Sequence, residues 1–356
     1  MAKISHAVIA KKLNISRATV TRSLANHPAI SAETRARVIA TADELGYRPS
    51  PGRAMRNRGR GARRLTIGVL IGLEVQPEKA VLTTYPHILK GIRERAEIER
   101  VHIDVHYRAP VAFHPEASPV EFSRLIRQGD WRGAILIYPF EEPAVETIAS
   151  KISTVGVLES YNCPGVDVID TDDALAVCSL TDTLRAAGHR RIGFLSWDYQ
   201  VGGHWIARRF SGYIESLFLN DLEFNADWVL NVRPTTGRVP RAQLADVVAR
   251  FVREQQVTAW VCAADHQAYQ LIQDLPTRGI RVPEDCSVTG FDGLEPPNGL
   301  PRVTSMRVPH EHIGASALSR LISRIQHPTS PRRKILVEAQ LVNGVTVGAP
   351  LVAAIR

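Results

Sequence analysis

The sequence predicts an N-terminal all-α head joined to an α/β body of doubly wound parallel sheets. Three observations carry that prediction. Two short amphipathic helical patterns meet at Ser16, and positive charge is concentrated in the first 64 residues. From Leu65 onward, apolar strand-like runs alternate with helical patterns. Strands that alternate with helices form parallel sheets covered on both faces. A chain of 356 residues has room for two or three such domains.

The head opens with Ile9-Ala10-Lys11-Lys12-Leu13-Asn14-Ile15-Ser16-Arg17-Ala18-Thr19-Val20-Thr21-Arg22, read as helix, tight turn, helix. Ser16 stands at the N-cap, where its hydroxyl accepts a bond from a free N–H of the next turn. Ile9, Ala10, Leu13, Ile15 and Val20 supply the apolar face, and small Ala10 allows a close crossing. Arg17, Ala18, Thr21 and Arg22 are left facing outward. A helix-turn-helix lays its second helix in the DNA major groove with the N-terminal residues toward base edges. A third helix follows, with Ser31 as N-cap, Glu33 in the first turn, Val38, Ile39, Ala42 and Leu45 at helical spacing, and Gly46 at C′.

Residues 48–64 hold seven Arg and no acid, interrupted by Gly and Pro. Ser50-Pro51 is a proper helix start, so a short helix over roughly 50–57 is expected. It is weak alone, because Gly52 costs about 1 kcal/mol relative to Ala and short isolated helices are marginal. A segment disordered when free and helical on DNA fits this composition; a permanently flexible basic tether is the alternative.

Charge separates the two parts of the chain. Residues 1–64 hold 14 Lys/Arg and 3 Asp/Glu, a balance of +11, whereas the remainder carries −3. A basic head on a mildly acidic body is the footprint of a nucleic-acid module joined to something else. No apolar run approaches the roughly 20 residues of a membrane helix. Met1–His6 lacks the apolar core of a secretory signal, so a cytoplasmic location is expected. Cys163, Cys178, Cys262 and Cys286 are scattered without metal-ligand spacing and read as reduced structural thiols.

In the body, buried-strand runs occupy 65–71, 133–138, 154–158, 191–195, 259–263 and 287–291. Helical patterns lie at 87–99, 120–128, 173–187, 208–219 and 241–255. More than ten elements imply two sheets, and ligands of such sheets sit beyond the carboxyl ends of the strands.

These islands, in this order, resemble the lactose-repressor (LacI) family of regulators. The residues that carry the resemblance are Ile9-Ala10 with Ile15–Arg22, and Leu45-Gly46-Tyr47-Arg48-Pro49. In the body they are Ala187-Gly188-His189-Arg190-Arg191-Ile192-Gly193-Phe194, Arg209-Phe210-Ser211-Gly212-Tyr213, and the run from Arg278-Gly279-Ile280 to Gly290-Phe291-Asp292. The resemblance implies a helix-turn-helix head over 1–48, a hinge over 49–64 and a two-lobed, periplasmic-binding-protein-like body over 65–356. Lobe 1 is expected at about 65–170 and 300–327, and lobe 2 at about 171–299 and 328–356. It also implies a homodimer on a pseudo-palindromic double-stranded DNA operator, acting as a repressor. A small-molecule effector, a sugar or sugar derivative, is expected between the lobes; no cofactor, metal or catalytic residue is expected.

Carried over residue by residue, Arg17, Ala18 and Arg22 match positions that face bases. Arg favours guanine O6 and N7, while Ala offers only a methyl contact. Ser16, Thr19, Thr21, Asn26 and His27 match phosphate contacts, which set register. The hinge departs from the family's Ala-x-x-Leu, whose Leu wedges into the minor groove. Here Gly52-Arg53-Ala54-Met55-Arg56 puts either Arg56 or, with one deletion, Met55 at that position. Met suits a wedge and Arg a reader of groove width; Met55 is favoured. For the effector, Arg209 and Asp292 match ligand-binding positions, joined by Asp265, Trp197, Asp198 and Tyr138 beyond other strand ends. Ala264 stands where the family often has Asn, which removes one polar contact. The bland reading of these strand-end residues is packing and capping. A solute-binding protein or an enzyme on the same fold is the competing function. It lacks support from any phosphate-binding Gly-rich loop, nucleophile elbow or metal cluster, and His189 is read as structural.

Overall fold

A computed structural model describes residues 5–24, 30–45, 47, 65–73, 83–108, 124, 126–199, 203–232 and 238–351. The head comprises α1 (His6–Leu13), α2 (Arg17–Leu24) and α3 (Ala32–Glu44). Ile9, Ala10, Val20, Val38 and Ala42 form its buried core, with Leu13, Ile15, Leu24, Leu45 and Tyr47 packed against it. Both expected N-caps form: the Ser16 hydroxyl accepts from Thr19 N at 3.0 Å and that of Ser31 from Thr34 N at 3.2 Å. Asn14 closes α1 with φ of 52°, a left-handed conformation that Asn tolerates better than most residues. His6 bridges the helix ends, 2.9 Å from the Thr21 hydroxyl and 2.7 Å from that of Tyr47. The Gly46 and hinge-helix expectations fall outside the described residues.

The body continues with β1 (Thr66–Gly72), α4 (Tyr85–Glu99), β2 (His102–Arg108), β3 (Trp131–Ile137), α5 (Glu142–Ala149), β4 (Ser153–Val157) and β5 (Val166–Thr171). Then come α6 (Asp173–Ala186), β6 (Ile192–Leu195), α7 (His204–Leu219), β7 (Val229–Leu230), α8 (Leu244–Gln255), β8 (Ala259–Cys262) and α9 (Asp265–Asp274). The chain finishes with β9 (Ser287–Asp292), β10 (Thr304–Arg307), α10 (His310–Gln326), β11 (Lys334–Val337) and β12 (Gln340–Val342).

These elements form two six-stranded sheets, ordered β11-β5-β4-β3-β1-β2 and β12-β10-β9-β8-β6-β7. In the first, β1 lies parallel between β2 and β3, with Val69 opposite Val105 and Ile135. In the second, β6 lies parallel between β7 and β8, with Phe194 opposite Val229 and Val261. Each sheet therefore reverses its winding at its first strand, and that reversal opens a crevice at the carboxyl ends. Hydrophobic patterning explains the central strands: β4, β6, β8 and β9 are buried along their whole length.

The chain forms two compact units. The first holds residues 1–75, 85–170 and 310–335; the second holds 76–84, 171–309 and 336–356. The return to the first unit falls later than the expected residue 300, because β10 pairs parallel with β9 and stays in the second sheet. The last passage falls after the expected 327, because β11 belongs to the first sheet. The helix expected over 120–128 lies largely outside the described residues. The helices α5, α9 and α10 and the strands β2, β5, β7 and β10 to β12 were not among the expected elements.

Within the first unit, one buried carboxylate ties α10 and β11 to the sheet. Asp167 is fully buried in β5. It accepts from Arg320 Nε at 2.7 Å, Arg324 Nε at 2.9 Å, Arg324 Nη2 at 2.6 Å and the backbone N of Arg333 at 2.6 Å. Burial alone would raise the Asp167 pKa, but the bonds from Arg324, Arg333 and Arg320 outweigh it and hold the carboxyl below its usual range. Removing one partner of a buried ion pair strands the other charges. Asp167→Ala is expected to cost about 3–5 kcal/mol, read as a lower denaturation midpoint; a loss below 1 kcal/mol would contradict this role.

Candidate functional site

Two surfaces concentrate the predicted residues, and the first is α2. Arg17, Ala18, Thr21 and Arg22 are exposed together, while Val20 and Ser23 are buried. That division follows from helical periodicity, which brings positions 17, 18, 21 and 22 onto one face. Ser16 caps the helix, and its hydroxyl lies 2.8 Å from that of Thr19. Thr21 donates to Arg17 O at 2.9 Å and meets His6, so its hydroxyl has internal partners. Asn26 and His27, and Arg53, Met55 and Arg56 of the hinge, lie outside the described residues.

The second surface lies in the second unit, at the carboxyl ends of β6, β8 and β9. Its centre is Arg209 of α7, only 5% exposed. Arg209 Nε donates to Asp173 Oδ1 at 2.9 Å, Nη1 to Ala263 O at 2.6 Å and Nη2 to Asp292 Oδ1 at 3.5 Å. Its guanidinium carbon stands 3.7 Å from the Phe291 ring centre and 4.8 Å from that of Trp205. Asp173, at the start of α6, also accepts from Arg208 Nε at 3.1 Å. The guanidinium is thus fixed in plane by hydrogen bonds and across its faces by aromatic rings.

Gly212, one turn after Arg209, explains how α7 reaches this position. A side-chain carbon at Gly212 would stand 2.1 Å from the backbone oxygen of Ala174. Only glycine lets α7 lie that close to α6, and that closeness brings Arg209 to Asp173. Tyr213 secures the same turn by donating to Ile192 O at 2.7 Å.

Asp292 ends β9 with φ of 119°, a conformation that side-chain-bearing residues rarely adopt. Such strain persists where the surroundings fix it, and it clusters at functional sites. Burial pushes the Asp292 carboxyl up to about 7; Arg209 opposes the shift, and Asp265 and Asp173 add to it.

Asp265 is buried differently. It is 0% exposed, and both of its oxygens have protein partners. Oδ1 accepts from Ser305 Oγ at 2.6 Å and Oδ2 from Leu294 N at 2.7 Å. Its geometry clamps the loop after β9. Burial raises its carboxyl to about 6 despite those bonds. Trp197, just past β6, carries the Arg241 guanidinium 3.5 Å from its ring centre and packs edge-on to His266 at 4.5 Å. Asp198 pairs with Arg238 at 2.9 Å on a partly exposed surface. Tyr138 belongs to the first unit, at the end of β3, where its hydroxyl accepts from Tyr85 N at 2.8 Å.

Sequence reasoning missed Asp173, Tyr199, Trp205, Arg241, His266 and Gln267. Tyr199 and His266 share a 2.7 Å bond, and Gln267 Nε2 donates to the Tyr199 hydroxyl at 3.1 Å. Burial, then Arg241 and Arg209, lowers His266 to about 3, so its ring is neutral. Asp173 was hidden by its neighbour: Asp172 is the helix cap, accepting from Leu175 N at 3.2 Å. The aromatic residues had one available signal, since all follow the β6 and β8 carboxyl ends. His189 is held at both ring nitrogens, by Thr258 at 2.8 Å and by Ser287 and Gly348 O at 2.9 Å. Among the described residues, no cluster of His, Cys, Asp and Glu could hold a metal ion. Also among them, no helix is long and apolar enough to cross a membrane.

Comparison with known proteins matches both parts. Residues 8–50 match the family described as bacterial regulatory proteins, lacI family, and residues 181–347 match a periplasmic binding protein-like domain. The HTH-type transcriptional regulator AglR of Rhizobium meliloti is 27% identical over 96% of this chain and 93% of its own. Among solved structures, the transcriptional regulator CelR in complex with cellobiose aligns with a TM-score of 0.66 at 20% identity, covering 96% of this chain and 99% of that one. The Lac repressor dimer bound to operator and the anti-inducer ONPF aligns at 0.63 and 22%, covering 98% and 100%. A helix-turn-helix head with one exposed polar face, two doubly wound sheets and relatives named as regulators agree: the chain belongs to the lacI family of DNA-binding transcriptional regulators.

Proposed function

We propose that the chain is a cytoplasmic repressor that binds a pseudo-palindromic operator as a homodimer and answers to a carbohydrate effector. The observation that supports the DNA reading best is the joint exposure of Arg17, Ala18, Thr21 and Arg22 on a helix whose opposite face is buried. In this reading residues 1–48 are the head, 49–64 the hinge and 65–356 the body. Arg17 and Arg22 contact guanines, Ala18 offers a methyl contact, and Ser16, Thr19, Thr21, Asn26 and His27 hold phosphates. In the hinge, Met55 enters the minor groove, flanked by Arg53 and Arg56.

The effector site is assigned to the carboxyl ends of β6, β8 and β9. Arg209 and Asp292 bond hydroxyl groups there, and Trp197 and Asp198 border the site. Asp265 and Tyr138 support their own strand ends. Of the structural relatives, CelR holds cellobiose and Lac repressor an operator with an anti-inducer; an oxygen-rich ligand of that kind suits paired charges beside aromatic rings. Effector occupancy shifts the balance between two body conformations and so makes the hinge helix easier or harder to form. A coupling of about 1–3 kcal/mol changes operator affinity by about 5- to 150-fold.

Arg22→Ala is expected to weaken binding by about 1–3 kcal/mol and relax preference at one guanine. Titrations against operators substituted at each position check this; an equal loss on every sequence would make Arg22 a phosphate contact. For the hinge, Met55→Ala should weaken operator binding and reduce DNA bending, and unchanged affinity would remove the wedge. Asp292 makes stability pH-dependent. Its folded-state pKa near 7 lies above the unfolded value, so the native state holds the extra proton. The associated stability is full below about pH 4 and is lost as pH rises through about 7. Asp292→Asn should flatten the decline in melting temperature between pH 5 and 8; parallel profiles for both proteins would contradict the assignment.

A further inference from the structure

The effector site occupies the carboxyl ends of the second sheet. The amino ends of the same strands carry a separate pocket of about 650 Å³. Its walls include Arg190 and Arg191 just before β6, Thr258 just before β8, Arg253 of α8, and Arg281 and Asp285 ahead of β9. The volume is within the range of small-molecule sites, about 300–1,000 Å³.

The four guanidiniums differ in what answers their charge. Arg281 is held by Asp285 through bonds of 2.9 and 2.8 Å, and Arg191 pairs with Glu223 at 3.3 Å. Arg190 and Arg253 have only carbonyl partners among the described residues. Arg190 Nη1 donates to the oxygens of Arg185 at 3.3 Å and His189 at 3.1 Å, and Arg253 Nη2 donates to Arg278 O. Capping helix ends is the ordinary use of such arginines. Arg190 meets the C-terminal turn of α6, which supplies about half a negative charge, and Arg253 meets a single backbone carbonyl, so neither has a carboxylate partner among the described residues. The carbonyl bonds also orient the guanidiniums in advance and leave their other N–H groups available. Oriented forks with unanswered charge are the donor set that recognises phosphate.

We propose that this basic pocket is a second ligand site, for a small phosphorylated metabolite, with Arg190 and Arg253 as its phosphate-binding residues. The site stands apart from the effector assignment, because none of its residues contributes to the Arg209 cluster. Its position nonetheless places a ligand on the same three strands, β6, β8 and β9, that end at that cluster.

The test uses the full chain with inorganic pyrophosphate as probe, because the basic head also attracts anions and the two must be separated by position. Hydrogen–deuterium exchange should show slower exchange at peptides covering 188–191 and 253–258 at saturating pyrophosphate. Protection confined to residues 1–64 would overturn the proposal. In calorimetric titration, Arg190→Gln/Arg253→Gln should weaken one binding event at least tenfold. Isotherms that superimpose on those of the unsubstituted protein would also overturn it. The exchange measurement needs no variant, so it decides the matter even if the double substitution fails to fold.

Discussion

The second unit depends on one buried guanidinium. Arg209 is removed from water, and a charge so placed is tolerated only when paired and hydrogen-bonded. Asp173, Asp292 and the Ala263 carbonyl meet that requirement. Each comes from a different part of the sheet: the start of α6, the end of β9 and the turn after β8. The positions of three elements are therefore fixed by the coordination of one side chain. Gly212 is the steric condition for this arrangement, since α7 reaches Asp173 only by lying against the backbone of α6. Under the proposed function, the charge that needs pairing is also the group that meets the effector.

The first unit solves the same problem with opposite signs. There the central group is a carboxylate, Asp167, and the arginines come from α10. The Asp167 cluster is closed: every oxygen is used, and its donors are spent on holding β11 and the loop before it. The Arg209 cluster is looser at one point, with a 3.5 Å contact to Asp292 and a strained backbone at that residue. Burial is common to the two clusters; the tightness of their bonding is what differs.

Legibility in the sequence followed hydrophobic pattern. The strands β1, β3, β4, β6, β8 and β9 are buried on both faces and read as continuous apolar runs. The strand β2, His102–Arg108, sits at a sheet edge with partly exposed residues, and His-Ile-Asp-Val-His-Tyr-Arg carries no such run. In the site, Arg209 and Asp292 were legible because both sit in short motifs at defined places in the fold. Asp173 was not, because two adjacent acids at a helix start read equally as caps, and only the fold turns one of them inward. Asp265 was legible as a strand-end acid, but its use as a loop clamp depends on Ser305, forty residues away. The head was read most fully, since its caps and core are local and need no long-range partner.

The repeated passage of the chain between units has a bearing on synthesis. The head's core is complete once Tyr47 has been made. Neither sheet can be: the first waits for β11 and the second for β12, both within the final quarter of the chain. The stitches that close the second sheet come later still, with Thr346 bonded to Val288 and Gly348 to Ser287. A ribosome thus exposes a finished helix-turn-helix head long before a finished body. Any chain terminated early would carry a packed head on an unclosed body, so under the proposed function the order of folding makes full-length synthesis a condition of regulation.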